Sequence, residues 1–189
     1  MITGATDGIG KQTALELAKL GYSLVLVGRS LEKGNSAVAE LKFFTGNESI
    51  QFYCADLSSM EAVSRLCDEI KSTYNTLDIL INNAGAYFSE FQQTKEGFEQ
   101  TFALNHLAYF SLTQLLLEMV ADGTPGRIVN VASGAHRGAR LNFNDIQGMN
   151  DYKGWPAYCR SKLCNIMFTY ECHRRYEHTN VTFNCLHPG

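Results

Sequence analysis

The sequence lacks the features that mark several classes of protein. Its 189 residues carry a formal net charge of −3, so the excess of basic residues that binds nucleic acid is missing. No apolar run reaches the roughly 18 residues that a membrane-spanning helix requires, and the charged and apolar regions of a signal peptide are absent. Because 45% of the residues are hydrophobic, the chain does not belong to the disordered class either. We expect a globular protein with no nucleic-acid partner and no membrane span in this chain.

The six cysteines follow no metal-binding or redox pattern. None belongs to a C-x-x-C motif, and none stands with histidine at zinc-finger spacing. Several fall inside predicted strands or helices, where cysteine behaves as a small apolar residue. We therefore predict reduced thiols, no metal site and an intracellular location.

Short apolar segments alternate with helical ones along the chain. Five segments are apolar on both faces, as expected of parallel strands covered by helices: 22–28, 50–54, 77–81, 127–131 and 181–185. Five helices are predicted, at 11–21, 31–43, 59–73, 95–120 and 156–177. Gly21 is expected to end the first helix, and Pro156 to take the first position of the last. The pattern predicts an α/β fold in a single domain, residues 1–189, with a doubly wound parallel sheet of the Rossmann type.

A glycine-rich segment opens the chain between a short strand and a helix. Residues 3–10 read TGATDGIG, in which the glycines let the backbone turn tightly and approach a pyrophosphate at the helix N-terminus. The spacing is G-x-x-x-G-x-G rather than the commoner G-x-G-x-x-G, and glycines also serve ordinary turns. In this strand–turn–helix context the segment predicts a dinucleotide site. Its candidate contacts are Gly4, Thr6, Gly8, Ile9 and Gly10.

The end of the second predicted strand bears on which dinucleotide is bound. NAD-binding domains place a carboxylate about 20 residues past the glycines, whereas residues 27–30 here read VGRS. Arg29 could pair with a 2′-phosphate, which favours NADP(H) over NAD(H), or it could be a solvated surface side chain. Asp56 and Leu57, after the third strand, are candidates for an adenine contact. Asp56 could equally be the acidic residue at the start of the next helix.

The fourth predicted strand ends in a polar segment, NNAG, at residues 82–85. The carboxyl ends of strands are where open α/β sheets bind ligands. Asn82 is expected to bridge backbone groups of neighbouring strands, and Gly85 to leave room for a ribose. The alternative is an Asx turn that closes the strand. Asn83, Ala84 and Gly85 are therefore candidate cofactor contacts.

A tyrosine and a lysine stand four residues apart in YCRSK, residues 158–162. On a helix such residues share a face, so Tyr158 and Lys162 can point together into a cleft. A free phenol has a pKa of about 10, and an ammonium beside a phenol stabilises the phenolate. The pair could therefore exchange a proton with a substrate, or it could be an ordinary, partly solvated helix face.

These motifs occur in the order that is typical of the short-chain dehydrogenases/reductases. The chain resembles this family over essentially its whole length, on the ordered set Thr3-Gly4-x3-Gly8-Ile9-Gly10, Asn82-Asn83-Ala84-Gly85, Asn105, Ser133, Tyr158-x3-Lys162 and Pro188-Gly189. The segments RIVNVASGAH and AYCRSKLCNIMF resemble its retinol-dehydrogenase branch, which includes the WW-domain-containing oxidoreductase.

The resemblance implies a catalytic tetrad of serine, tyrosine, lysine and asparagine. Ser133 would hydrogen-bond the substrate oxygen, and Tyr158 would donate or remove the proton. Lys162 would hold the nicotinamide ribose, and Asn105 would anchor a water that relays protons to it. Pro188 and Gly189 are implied as further cofactor contacts. Taken singly, Asn105 could be a buried amide and Ser133 a helix cap.

Two stretches depart from the family pattern. The opening strand is reduced to residues 1–3, and the lid and last strand with which the family continues do not follow residue 189. The first strand, the C-terminal lid and the last strand are therefore expected to be incomplete. The long segment 134–155 suits the retinol-dehydrogenase branch and is expected to border the substrate pocket.

The resemblance implies an NADP(H)-dependent oxidoreductase that interconverts a hydrophobic alcohol and its aldehyde or ketone, of retinoid, steroid or lipid type. The alternative is a truncated, non-catalytic isoform that binds a nucleotide or a protein partner. A homodimer is possible for the full-length form. Because members of this branch are often anchored through an N-terminal segment, the expected location is the cytoplasm or the cytoplasmic face of a membrane.

Overall fold

The computed structural model describes residues 1–122 and 125–189, and its central element is a parallel sheet of six strands. The strands lie in the order β3-β2-β1-β4-β5-β6, and every pairing between them is parallel. Their bounds are β1 Ile2–Thr3, β2 Leu24–Gly28, β3 Ile50–Cys54, β4 Ile79–Asn82, β5 Gly126–Val131 and β6 Val181–Leu186. The strand order reverses between β1 and β4, which confirms the doubly wound, Rossmann-type prediction.

Helices cover both faces of the sheet. The helical segments are α1 Gly8–Lys19, α2 Leu31–Thr45, α3 Met60–Thr73, α4 Gln100–Phe102, a π turn Ala103–Leu107, α5 Ala108–Ala121 and α6 Gly154–Arg175. Helices α1 and α2 pack together, and α3 packs on α5. Alternate residues of β2 serve the two cores: Leu26 packs in the cluster under α1 and α2, and Val27 in the cluster under α3 and α5. All of β2 is buried, which explains its continuous apolar sequence.

The first helix begins at Gly8, three residues before the predicted start. Asp7 stands in an extended conformation at the N-cap, and its carboxylate accepts from the Gly8 N–H at 2.7 Å. The helix ends as predicted, because Gly21 at φ 82° donates its N–H to the Ala18 oxygen at 3.0 Å. The last three residues of the glycine-rich segment therefore belong to the first turn of α1.

The predicted helix 95–120 is wrong over its first five residues. Gly97 has a φ of 88°, which a helix does not tolerate, and Glu99 forms an isolated antiparallel bridge with Gln93. The buried Glu99 carboxylate then caps α4, accepting from the Thr101 N–H at 2.6 Å and the Phe102 N–H at 2.8 Å. The predicted helix includes Glu99, whose side chain in fact caps α4, because glutamate also favours helix interiors.

The last helix begins at Gly154, so Pro156 occupies its third position and not its first. A proline is tolerated there because the first-turn N–H groups have no partner within the helix. A Cβ at Gly154 would lie 2.4 Å from the Phe88 oxygen and 2.9 Å from the Ser89 Cα, so the helix start is pressed against the loop after β4. Across the two described ranges, no helix combines the length and the apolar character that crossing a bilayer would require.

Candidate functional site

The residues predicted for the site meet at a groove along the carboxyl ends of the strands. Its larger part, a cleft of ≈ 800 Å³, is bordered by Gly4, Gly8, Ile9, Asn83, Ala84, Gly85, Ser133, Tyr158, Lys162, Pro188 and Gly189. A smaller cavity of ≈ 160 Å³ continues towards β2 and β3, and Thr6, Arg29, Asp56 and Leu57 line it. The two parts share Gly4, Ala84, Gly85 and Ala86. Of the predicted site residues, only Gly10 and Asn105 do not line either cavity.

The glycine turn packs so closely against the segment after β4 that side chains are excluded. Gly4 has a φ of 63°, and a Cβ there would lie 2.8 Å from the Ala84 Cα. A Cβ at Gly10 would lie 2.3 Å from the Gly4 oxygen. Because the turn leads directly into α1, the positive end of the helix dipole, with Gly8 and Ile9, borders the cleft. The turn therefore fits a pyrophosphate, as the sequence predicts.

The link between the end of β4 and the glycine turn is made by Asn83 and Thr3. The Asn83 Nδ2 donates to the Thr3 oxygen at 2.9 Å and to the Gly4 oxygen at 3.2 Å. In return the Thr3 Oγ1 accepts from the N–H groups of Asn83, at 2.9 Å, and Ala84, at 3.0 Å. The prediction that Asn82 bridges backbone groups was wrong by one residue, because successive side chains point to opposite faces of the sheet.

Asn82 instead begins a buried polar network beneath α5 and α6. Its Nδ2 donates to the Asn130 Oδ1 at 2.9 Å and to the Thr113 Oγ1 at 3.2 Å. Asn82 and Asn130 are paired in the register of β4 and β5, and the Asn130 Nδ2 donates to the Thr169 Oγ1 at 3.0 Å. Thr169 in turn donates to the Asn165 oxygen at 2.7 Å. The network ties β4 and β5 to α5 and to α6, the helix that carries Tyr158 and Lys162.

Asn105 lies in the π turn and supports the floor of the cleft. Its Oδ1 accepts from the Ala86 N–H at 2.9 Å, and its Nδ2 donates to the Ala86 oxygen at 3.0 Å. Its own main-chain oxygen accepts from the Asn165 Nδ2 at 2.8 Å. The side chain is a fully buried amide, one of the alternatives that the sequence left open. The anchoring of a relay water by Asn105 stays a prediction.

Asn165 was missed by the sequence reasoning. Besides its bond to Asn105, its Oδ1 lies 3.0 Å from the Nδ1 of His106, and burial lowers the pKa of His106. One side chain therefore binds two consecutive residues of the π turn, a type of helix irregularity that often marks functional sites. A signal was present, because Asn165 lies seven residues after Tyr158 and three after Lys162, on the same helix face.

Lys162 and Tyr158 share a helix face, as predicted, and Lys162 is deeply buried. Its Nζ lies 5.7 Å from the centroid of the Tyr158 ring and donates to the Val131 oxygen at 2.9 Å. With only 3% of the residue exposed, burial lowers the pKa of Lys162 from 10.5 to about 8. A Cβ at Gly85 would lie 3.4 Å from this Nζ. The absence of a side chain at Gly85 therefore leaves space beside the lysine ammonium.

Ser133 lies two residues after the end of β5 and caps the short 3₁₀ turn Gly134–His136. Its Oγ accepts from the Ala135 N–H at 3.2 Å, which confirms the capping alternative while leaving a second use open. An accepted bond occupies a lone pair and not the hydroxyl proton, which can still be donated to an oxygen in the cleft. Ser133, Tyr158 and Lys162 thus face one common space.

Two exposed aromatic rings flank Tyr158, and the sequence reasoning singled out neither. The Trp155 ring stacks on the Tyr158 ring, with centroids 5.8 Å apart and planes 20° apart. The Tyr87 ring meets the Tyr158 ring edge-on at 6.5 Å and 73°. Both residues line the cleft, and they are 59% and 54% exposed, respectively. Large exposed apolar groups beside a catalytic candidate are typical of a ligand site.

Arg29 stands exposed at the smaller cavity, where the adenosine end of a dinucleotide is expected. Within the residues that the structure describes, no ion pair involves Arg29. Asp56 forms an Asx turn, since its Oδ1 accepts from the N–H of Ser58 at 3.0 Å and from its hydroxyl at 2.8 Å. The N-cap of α3 is Ser59, and Asp56 lies four residues before the first residue of that helix. The alternative that Asp56 supplies the negative charge at the start of α3 therefore stays open.

A separate cavity of ≈ 460 Å³ lies at the opposite ends of the strands. Leu24, Tyr74, Asp78 and Ile79 are among the residues that line it, at the amino ends of the strands. Open α/β sheets bind their ligands at the carboxyl ends, where the predicted residues of this chain converge. The groove along the carboxyl ends is therefore the candidate site.

Comparisons with known proteins point in the same direction. A family model described as short chain dehydrogenase matches residues 1–189. Retinol dehydrogenase 11 of Homo sapiens is 41% identical over 189 residues, and the match covers 100% of this chain and 59% of that protein. The chain therefore spans less than two thirds of the length of this curated relative.

Solved structures extend the similarity to the fold. An uncharacterized protein from Mycobacterium Paratuberculosis superposes with a TM-score of 0.88 at 35% identity, covering 100% of this chain and 66% of that one. A short chain dehydrogenase from Shigella flexneri 2a str. 301, solved in complex with NADP, superposes with a TM-score of 0.81 at 27% identity. That match covers 100% of this chain and 75% of the other.

Proposed function

Because the chain belongs to the short-chain dehydrogenase family, we propose that it is the cofactor-binding and catalytic part of an NADP(H)-dependent oxidoreductase. Its substrate would be a hydrophobic alcohol and the corresponding aldehyde or ketone, of retinoid, steroid or lipid type. The observation that carries this proposal is the convergence of Ser133, Tyr158 and Lys162 on the cleft that begins at the glycine turn. The similarity to retinol dehydrogenase 11 supports the substrate class.

The cofactor would lie along the groove, held by the glycine turn, by Ala84 and Gly85, and by Lys162 and residues 188–189. A bound nicotinamide supplies a hydride in reduction and accepts one in oxidation. The fit rests on three features of this chain: the packed glycine turn, the start of α1 beside the cleft and the joined cavities. Each is what a dinucleotide requires of a Rossmann fold.

The proton chemistry falls to Tyr158. In reduction the Tyr158 hydroxyl donates its proton to the substrate oxygen, and in oxidation the phenolate removes a proton from the alcohol. The Lys162 ammonium, 5.7 Å from the ring centroid, favours the phenolate that this exchange requires. Ser133 donates a hydrogen bond to the same oxygen, which stabilises the charge that develops there. Trp155 and Tyr87 provide apolar surface for a hydrophobic substrate.

Substitution of the catalytic phenol tests this assignment. Tyr158→Phe should reduce turnover of a panel of aldehydes and ketones below detection while leaving the affinity for NADPH within about twofold of wild type. Tyr170→Phe, an exposed tyrosine on the same helix, is the matched control and should change neither quantity. Turnover that survives Tyr158→Phe would contradict the mechanism. Tight NADPH binding by the wild type without turnover on any substrate would favour the non-catalytic alternative.

The preference for NADP(H) rests on Arg29. Its exposure at the smaller cavity and the absence of a carboxylate among residues 27–30 support a contact with the 2′-phosphate. Arg29→Ala should weaken NADPH binding roughly 10- to 100-fold, because a hydrogen bond to a charged group contributes about 1.5–3 kcal/mol. NADH binding should not change. Arg65→Ala, which removes an arginine of α3 that pairs with Glu61, serves as the control.

The proposal also includes the homodimer of the full-length form and a location in the cytoplasm or on the cytoplasmic face of a membrane. Three exposed apolar side chains on α5 and α6 support a surface for a second copy: Phe110, Met167 and Tyr170. Sedimentation of the wild type and of Met167→Glu tests the dimer. Association that is weakened by this substitution would support the surface, and a wild-type monomer at all concentrations would contradict it.

A further inference from the structure

The ammonium of Lys162 lies between two tyrosine rings, and only one of them belongs to the predicted tetrad. Its Nζ is 5.7 Å from the centroid of the Tyr158 ring on α6, and also 5.7 Å from the centroid of the Tyr109 ring on α5. A cation within about 6 Å of an aromatic face is attracted by the negative potential of the ring. Tyr109 is fully buried, whereas Tyr158 borders the cleft.

The rings matter because the lysine has exchanged most of its hydration for few polar contacts. Its Nζ donates to the Val131 oxygen, and in the part of the chain that the structure describes it forms no ion pair. The titratable groups that face it are the two phenols, Tyr109 from α5 and Tyr158 from α6. The other ionisable groups around the cleft are Asp7, Tyr87 and His187.

Tyr109 acts through its ring and not through its hydroxyl. Its buried Oη has no hydrogen-bond partner among the described residues, and burial raises the pKa of Tyr109, so the phenol stays neutral. A neutral, desolvated ring keeps its full electrostatic attraction for a cation, and the low local dielectric strengthens that attraction. The hydroxyl could therefore be removed without weakening the contact.

We propose that Tyr109 is a positioning residue of the active site, whose buried ring holds the Lys162 ammonium in place and keeps it protonated beside Tyr158. The inference rests on the proposed function for its consequence, since a protonated Lys162 is what favours the Tyr158 phenolate. Its physical content, a ring face that stabilises a buried cation, can be measured without any turnover.

The measurement is the titration of Lys162 in the intact chain. With lysine labelled at 13Cε, its resonance can be followed by NMR from pH 6 to 11 and assigned with Lys162→Met. Tyr109→Phe should leave the midpoint unchanged, because the ring is kept. Tyr109→Leu should lower it by about one pH unit, as expected for the loss of a desolvated cation–π contact. Leu116→Ala, which removes a buried side chain two turns further along α5, is the control and should not move it.

A series of fluorinated phenylalanines at position 109 tests the same contact in case the Tyr109→Leu variant does not fold. Fluorine withdraws charge from the ring face with little change of volume, so the Lys162 midpoint should fall stepwise with each fluorine. A midpoint that stays constant along the series, or a Leu116→Ala shift as large as that of Tyr109→Leu, would overturn the inference.

Turnover measured on the same variants separates the two proposals. If both proposals hold, the pH profile of kcat moves together with the titration midpoint of Lys162. A midpoint that shifts in a chain without turnover leaves the Tyr109 contact supported and refutes the oxidoreductase function. An active chain whose midpoint and pH profile ignore position 109 refutes the Tyr109 contact alone.

Discussion

The buried ammonium of Lys162 should make the cofactor-free chain less stable than a variant without it. Burial lowers the pKa of Lys162 from 10.5 to about 8, and each unit corresponds to about 1.36 kcal/mol. The difference of about 2.5 units therefore costs about 3 kcal/mol of folding free energy when the lysine is charged. Lys162→Met removes this cost but also loses the hydrogen bond to the Val131 oxygen, which offsets about 1 kcal/mol of the gain in stability. We expect Lys162→Met to be about 2 kcal/mol more stable at pH 7.

The gain has a defined pH dependence. Because the pKa is lower in the folded chain than in the unfolded one, the unfolded chain binds more protons between pH 8 and 10.5. The stability of the wild type with respect to this group therefore rises with pH through that window, and below pH 8 the penalty is complete. Lys162→Met lacks this rise, so its advantage should shrink above pH 8 and reach zero near pH 10. Above that pH the lost hydrogen bond should leave the variant less stable than wild type by up to about 1 kcal/mol.

Urea unfolding at pH 7, 8, 9 and 10, followed by circular dichroism under reducing conditions, measures the effect. Subtracting the two unfolding free energies cancels the cysteines and tyrosines that titrate in the same window, provided that both chains have the same m value. Lys153→Met, at an exposed lysine that pairs with Asp151, should give a small difference that is independent of pH. A Lys162→Met difference that is constant with pH, or a variant less stable than wild type at pH 7, would refute the reasoning.

Three further predictions concern other parts of the groove. Asn165→Leu should destabilise the chain by about 1–3 kcal/mol in urea, because it leaves the buried Asn105 oxygen without its side-chain donor. Trp155 is the only tryptophan, so NADPH binding should quench the intrinsic fluorescence of the chain, and Trp155→Phe should abolish that signal without abolishing binding. Gly10→Ala should abolish NADPH binding and lower the melting temperature, since its Cβ would lie 2.3 Å from the Gly4 oxygen; unchanged binding would show that the turn can open.

The parts of the fold that sequence predicted correctly depend on short-range regularities. The five apolar segments became strands, although β2 and β4 begin two residues later than predicted. Burial on both faces, which the apolar sequences predict, holds for all of β2. The edge strands β3 and β6 instead expose several of their residues. Tyr158 and Lys162 share a face because the helical period requires it. Gly21 ends α1 because its left-handed conformation closes the last turn. None of these results needed knowledge of a distant part of the chain.

The errors have two sources, an unusual local cap and contacts with distant parts of the chain. The start of α4 depends on Glu99 turning its carboxylate back onto the helix, and glutamate is not among the preferred N-cap residues. The roles of Asn82 and Asn83 depend on which face of β4 each side chain takes, and this face is set by packing against Thr3 and Asn130. A pattern of two identical amides in sequence contains no signal that separates them.

The asparagines whose contacts were missed or wrongly predicted share a property that the sequence does contain. Asn82, Asn130 and Asn165 are fully buried polar residues within strands or a helix. A polar side chain at such a position is costly unless its hydrogen bonds are satisfied, so a sequence keeps it where the bonds serve a purpose. Here Asn165 binds the π turn that carries Asn105, and Asn82 and Asn130 join β4 and β5 to α5 and α6. Asparagines that interrupt an otherwise apolar helix or strand period are therefore the signal by which such supports of an active site can be sought.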